Sequence, residues 1–234
     1  MSKFAAAGLA GALIVAASSA AFAQTKTVEL APFSGVDISS GLNADIKVDG
    51  TQSVTVEARN PDYLKDLTLE VRDNRLYANI NRSLMNLVFG QDKFITIHIS
   101  VPNLDFVEAS SGADVKADGA AGSKVEVRAS SGADIDLRNI KATELISEGS
   151  SGSDLRLAGT CETATFSVSS GSDLKARDLE CRDVAIDASS GSDAEIFASG
   201  TLTAKASSGA DVEVHGKPGS VKQDASGGGE VSLQ

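Results

Sequence analysis

One phrase recurs through the second half of the chain: Ser-Ser-Gly, a small residue, Asp, an aliphatic residue. It reads Ser110-Ser111-Gly112-Ala113-Asp114-Val115, returns at residues 130–135, 150–155, 169–174, 189–194 and 207–212, and closes in degraded form as Ser226-Gly227-Gly228-Gly229-Glu230-Val231. Its first serines are 20, 20, 19, 20, 18 and 19 residues apart. Self-similarity at a period near 20 is the mark of a solenoid, in which each repeat is one coil that buries its apolar face only by stacking on the next.

Between copies of the phrase the pattern has period two. In residues 125–137 one face carries Val125, Val127, Ala129, Ser131, Ala133, Ile135 and Leu137, and the other Glu126, Arg128, Ser130, Gly132, Asp134 and Asp136. Alternation of this kind reads as half-buried strand. About 20 residues at roughly 3.3 Å each trace a closed circuit about 60 Å around, and successive circuits pair in parallel about 4.8 Å apart. The expected fold is all-β: a right-handed parallel β-helix, its hand following the crossover rule. Each coil is expected to hold two or three short strands. The small residues Ser131, Ser151, Ser170, Ser190 and Ser208 are expected to point inward where the coil narrows, their hydroxyls stacked. Only 4% of residues are aromatic and Trp is absent, which suits a thin aliphatic core.

The first 23 residues stand apart. Lys3, an apolar run and Ala21-Phe22-Ala23 read as a secretory signal peptide cut before Gln24. No cysteine near that point offers a lipid anchor, and no second long apolar stretch follows. The expected mature chain is therefore extracytoplasmic, periplasmic or secreted. Loss of residues 1–23 removes Lys3 and no acid, taking the formal charge from −11 to −12. That charge argues against nucleic acid and anionic membrane surfaces as partners.

Residues 24–109 are expected to form an irregular β region continuous with regular coils over 110–234. Val36, Ile38, Ala44, Ile46, Val48, Val54, Val56 and Ala58 alternate with polar residues. Residues 39–46 resemble the later phrase with two residues inserted after the glycine, and read as the first coil. Asn60-Pro61-Asp62 breaks the run, with a single helical turn expected over 62–67. Residues 67–81 read as a hairpin about Asp73-Asn74. Residues 82–92 lack a period and read as an excursion, after which Ile95, Ile97, Ile99 and Val101 face inward.

The opening Phe33-Ser34-Gly35-Val36-Asp37-Ile38-Ser39-Ser40-Gly41, the break Asn60-Pro61-Asp62-Tyr63-Leu64, and the passage from Val101-Pro102-Asn103-Leu104 to Ser110-Ser111-Gly112-Ala113-Asp114 together resemble the putative auto-transporter adhesin head GIN domain family, over roughly residues 32–215. The resemblance implies an extracytoplasmic β-helix without catalysis and supplies no catalytic residues. Family members are often lipid-anchored, and this chain departs from that.

Three constellations bear on chemistry. Stacked coils align Asp114, Asp134, Asp154, Asp173, Asp193 and Asp211 in an outward column. Like charges about 4.8 Å apart repel, and calcium, which takes carboxylate oxygens, would relieve them; the alternative is that each Asp caps its turn by accepting backbone N–H bonds. The spacing differs from the nonapeptide calcium repeat. Cys161 and Cys181 each precede the next phrase by eight residues, so they occupy one column on adjacent coils, within disulfide reach in an oxidising compartment. A Ser-His-Asp triad finds no support: His98 and His215 are the two histidines, no nucleophile elbow is present, and a repeated serine is structural by its repetition. His98 reads as solvated.

A polysaccharide-cleaving β-helix needs acid, base and sugar-stacking aromatics in one groove. Tyr63, Tyr77, Phe89 and Phe94 cluster instead in the irregular half, so residues 60–93 are the expected place for a specific ligand. The reading is a non-enzymatic adhesin-like or envelope binding module with an unknown surface ligand. Its alternatives are a self-associating structural envelope protein and a carbohydrate-active enzyme.

Overall fold

The computed structural model describes residues 24–59, 61–80 and 95–234. It is a right-handed parallel β-helix of about six coils. The regular part consists of β9 (Asp114–Ser130), β10 (Asp134–Ser150), β11 (Asp154–Ser169) and β12 (Asp173–Ser189), followed by shorter strands: β13 (Asp193–Ala198), β14 (Thr201–Ser207), β15 (Asp211–His215), β16 (Ser220–Ser226) and β17 (Glu230–Leu233). Where separate short strands were expected, β9 to β12 each run 16 or 17 residues around the coil. The coil bends inside the strand, at left-handed residues such as Gly119 and Asn139, without losing its ladder.

Register is fixed residue for residue: Asp134 pairs with Asp114 and with Asp154, Ile135 with Val115 and Leu155. Spacings of 18, 19 and 20 are absorbed at bulges. Between Leu137 and Ile140 the ladder on β11 slips, so that Gly159 lies against Ile140. A Cβ on Gly159 would stand 2.2 Å from the Ile140 carbonyl oxygen, and its φ is +141°, so only glycine fits this crossing.

The core is a set of inward columns. One runs Leu76, Val36, Val107, Val127, Ser147, Phe166, Ile186, Ala204 and Gln223. Phe166 follows Ser147, a large side chain beside a small one, which keeps the column filled without aromatic stacking.

The turn departs from the expected geometry. Ser111, Ser131, Ser151, Ser170, Ser190 and Ser208 have φ of 53° to 59°, and the glycine after each is also left-handed. Ser131, Ser151, Ser170, Ser190 and Ser208 therefore lie outside, exposed, and the strict alternation through the phrase is wrong by one residue. Two successive left-handed residues turn the chain so that Ala129 and Ala133, four apart, both face the core. The inward column of small residues is Ala113, Ala133, Ser153, Ser172, Ser192 and Ala210. Where it holds serine the hydroxyl is paired: Ser153 Oγ donates to the Ala129 carbonyl at 3.0 Å and accepts from the Ser150 N–H at 3.1 Å, and Ser192 Oγ donates to the Val168 carbonyl and accepts from the Ser189 N–H at 3.1 Å each.

The irregular half is stacked out of chain order. β2 (Gly35–Ile38) lies between β6 (Arg75–Ile80) and β8 (Phe106–Ser110), and β3 (Asn43–Val48) between β7 (Ile95–Val101) and β9. The coil of residues 35–48 is thus second in the stack, and the chain returns to build the outer one from β6 and β7. β4 (Ser53–Ala58) pairs antiparallel with β7, β1 (Gln24–Thr27) with β4, and β5 (Leu67–Arg72) with β6 about the turn Asp73-Asn74, both left-handed. Antiparallel strands so extend both sheet edges at this end. Pro61–Lys65 form one turn of 3-10 helix. The expected excursion at 82–92 lies outside the described residues.

The coil of residues 35–48 also needs no insertion. Ser40 and Gly41 are the left-handed pair, Leu42 is buried, and Asn43 pairs with Asp114. The phrase is present there with Leu for the small residue and Asn for Asp.

Candidate functional site

The Asp residues follow the left-handed turn and point out along one edge of a sheet face. Register makes a continuous column: Thr96, Asn43, Asp114, Asp134, Asp154, Asp173, Asp193, Asp211, Glu230. Successive turns are tied coil to coil by main-chain bonds. The Gly132 N–H donates to the Ser151 carbonyl at 3.1 Å, and the Asp134 N–H to the Ala113 carbonyl at 2.9 Å, with equivalents at successive coils. These bonds are made between main-chain groups, and the Asp134 carboxylate in addition accepts from the Asp154 N–H.

Two residues further along each strand a second column runs beside the first: His98, Asp45, Lys116, Asp136, Arg156, Lys175, Glu195, Glu213, Ser232. The two columns line shallow grooves of about 390 Å³ and 550 Å³ that share Asp173 and Lys175. The groove toward β3 mixes signs, with Lys116, Arg156 and Lys175 among its acids. The groove toward β17 sets Asp173, Asp193, Glu195, Asp211, Glu213 and Glu230 against Lys175 alone. The second column is readable in the sequence two positions after each Asp, but its opposition of signs depends on register.

Crowding shows in protonation. Burial, then the charges of Asp154 and Asp114, holds the Asp134 carboxyl above the ordinary carboxylate value; burial, then Asp154 and Asp193, does the same for Asp173. Arg138, bonded to Asp136 at 2.8 and 2.9 Å, holds Asp136 below it. Among the described residues no three His, Cys, Asp or Glu side chains converge to hold a metal ion.

Cys161 and Cys181 are register partners on β11 and β12, with Cα atoms 4.5 Å apart and sulfurs at bonding distance. A bridge there closes a loop of about 20 residues, contributing about 3 kcal/mol by chain entropy. His98 is not simply solvated: its Nε2 is 3.2 Å from Glu57 and its Nδ1 3.6 Å from Asp45. His215 sits 3.4 Å from Glu213.

Of the aromatics expected to recognise a ligand, Tyr77 is stacked by Arg72, whose guanidinium is 4.4 Å from the ring centroid. Phe89 and Phe94 lie outside the described residues. Phe106, which the sequence did not single out, lies against Gly35 under Arg75 at 3.5 Å and Arg128 at 5.8 Å. Cations cover both rings, so neither offers a bare sugar platform.

A β-helix with two register-locked columns of charged side chains defines a repetitive scaffold class of protein, in which equivalent positions of successive coils line up on one outer face. The chain belongs to the family described as putative auto-transporter adhesin, head GIN domain, whose sequence profile matches residues 32–218. Among solved structures it is similar to a putative adhesin from Bacteroides fragilis, at 17% identity and a TM-score of 0.77, over 91% of this chain and 97% of that one. A putative lipid binding protein from Parabacteroides distasonis (14%, TM-score 0.64, 91% and 97%) and a putative adhesin from Parabacteroides merdae (16%, 0.64, 91% and 96%) share the fold. Among curated proteins none matches its sequence.

Proposed function

We propose that this protein is a non-enzymatic, adhesin-like binding module acting outside the cytoplasm, and that the two-column face is its binding surface. The observation that carries the reading is the acidic half of that face, six carboxylates against Lys175 alone, displayed on a rigid ladder. Such a surface attracts a cationic envelope or surface component, and its steering weakens with salt. The family and its structural neighbours, described as adhesins or binding proteins, support binding rather than catalysis.

Calcium in the column formed by Asp114, Asp134, Asp154, Asp173, Asp193 and Asp211 is the second part of the proposal. Two neighbouring carboxylates would share an ion and water would supply the other ligands, giving an affinity of about 10⁻⁴ to 10⁻³ M. The test is retention on isolated cell-envelope fractions of the protein and its Asp193→Asn/Asp211→Asn/Glu213→Gln variant, at matched ionic strength, with calcium and with chelator. The protein is expected to bind and the variant to be lost to the wash; equal retention overturns the choice of face. Melting in parallel, a rise with calcium that is smaller in the variant, which keeps Asp114, Asp134, Asp154 and Asp173, supports ion binding, and midpoints unchanged by calcium and by chelator remove calcium.

A further inference from the structure

At the end formed by β1, β4 and β5 the β-helix is extended by antiparallel strands; at the other end no strand among the described residues covers the last coil. β16 is exposed at all seven positions, including Val221, Gln223 and Ala225, which continue the buried columns of Leu202, Ala204 and Ala206. The exposed large hydrophobics of the described residues are Val221 and Leu233, both in this coil. Among the described residues β16 pairs with β14 on one edge, and no strand pairs with its other edge. Such an edge is a template for a further strand.

The sequence of β16 says which strand. It reads Ser220-Val221-Lys222-Gln223-Asp224-Ala225-Ser226. Laid antiparallel on a second copy about Gln223, Lys222 faces the second copy's Asp224, Val221 faces Ala225 and Ser220 faces Ser226, each pair made twice. On the inner side Val221 meets Ala225, with Gln223 opposite its own copy between the two pairs, and opposite charges meet on the outer. The outer column already alternates in sign, Asp187 to Lys205 to Asp224, and the second copy's Lys222 continues it. In a parallel arrangement on a further coil the same strand would place Lys222 on Lys222 and Asp224 on Asp224, like charge on like.

We infer that two copies of this chain join end to end through β16, antiparallel and centred on Gln223, in a two-fold symmetric dimer. A two-fold axis requires a self-complementary strand, and this one is. The dimer is independent of what the acidic face binds, and it places two such faces on one particle, which multiplies avidity for a repetitive surface.

Sedimentation velocity over a range of protein concentrations tests this. The protein is expected to run as a dimer that dissociates on dilution. Lys222→Asp or Asp224→Lys alone sets two like-charge pairs in the interface and is expected to weaken dimerisation about tenfold or more. The double variant Lys222→Asp/Asp224→Lys reverses both partners and is expected to recover the dimer, with circular dichroism confirming that each variant is folded. Recovery in the double variant is a readout that damage to the coil would not produce. A protein monomeric at every concentration, a dimer indifferent to both single reversals, or a double variant no better than the singles overturns the inference.

Discussion

Ser147 is the residue where the core and the sequence disagree most. It faces inward between Val127 and Phe166, is 1% exposed, and its hydroxyl has no hydrogen-bond partner among the described residues. The serines of the turn column behave differently: Ser153 and Ser192 are equally enclosed but donate and accept. An unpaired buried hydroxyl costs about 1–3 kcal/mol, so Ser147→Ala is expected to stabilise the protein by about 1 kcal/mol, a rise in Tm of about 2–4 °C. Calorimetry reads this directly, and an unchanged or lower Tm would show that Ser147 finds a partner. Nothing in the alternation of residues 145–150 marks the position, because a strand pattern records which side a residue faces and not what it meets there.

At the scale of the repeat element, the turn and its Asp are separable. The turn is held by its left-handed Ser-Gly pair and by main-chain bonds to the neighbouring coils, so removing one carboxylate should leave it intact. Asp134 pays the cost of standing between Asp114 and Asp154. Its folded-state pKa is raised above 3.8, so the native state holds its proton more tightly than the unfolded chain does. Stability is therefore lost as pH rises from 3.8 through the raised value, and the penalty is complete at neutral pH. Asp134→Asn is expected to gain about 0.5 kcal/mol at pH 7, solvent screening keeping the figure small, and the gain is expected to vanish as pH falls below 3.8. Urea titrations of both proteins at pH 7 and pH 3 check it; a variant less stable at pH 7 would mean that the carboxylate supports its turn after all. The Asn43 that precedes Asp114 in the column is a natural version of this substitution, hidden from a sequence reading that assumed two inserted residues.

For the whole molecule, a formal charge of −11 is not spread evenly. Acids of the groove toward β17 stack at strand spacing, well inside the screening length of about 10 Å at 0.1 M salt. The thermal midpoint is accordingly expected to rise by a few degrees between about 0.01 M and 0.3 M sodium chloride. A flat response would show that Lys175 and the cations of the other groove already balance the face.

How much of this could be read in advance follows from which interactions are local. The period near 20, the alternation and the paired cysteines specified a parallel β-helix, the common column of Cys161 and Cys181, the hairpin about Asp73-Asn74, and the outward column of Asp114, Asp134, Asp154, Asp173, Asp193 and Asp211. Each follows from a residue's own conformational preference and from stacking equivalent positions. Tertiary structure alone decided the rest. That Ser131 turns outward rests on two successive left-handed residues, that β6 and β7 stack outside residues 35–48 rests on their parallel pairing with β2 and β3, and that Lys116 and Arg156 face the acids at one end but not the other rests on register. A repeat fixes what lies above what; which way a turn rolls, and which charges come to share a groove, depends on the sum of contacts between coils far apart in the chain.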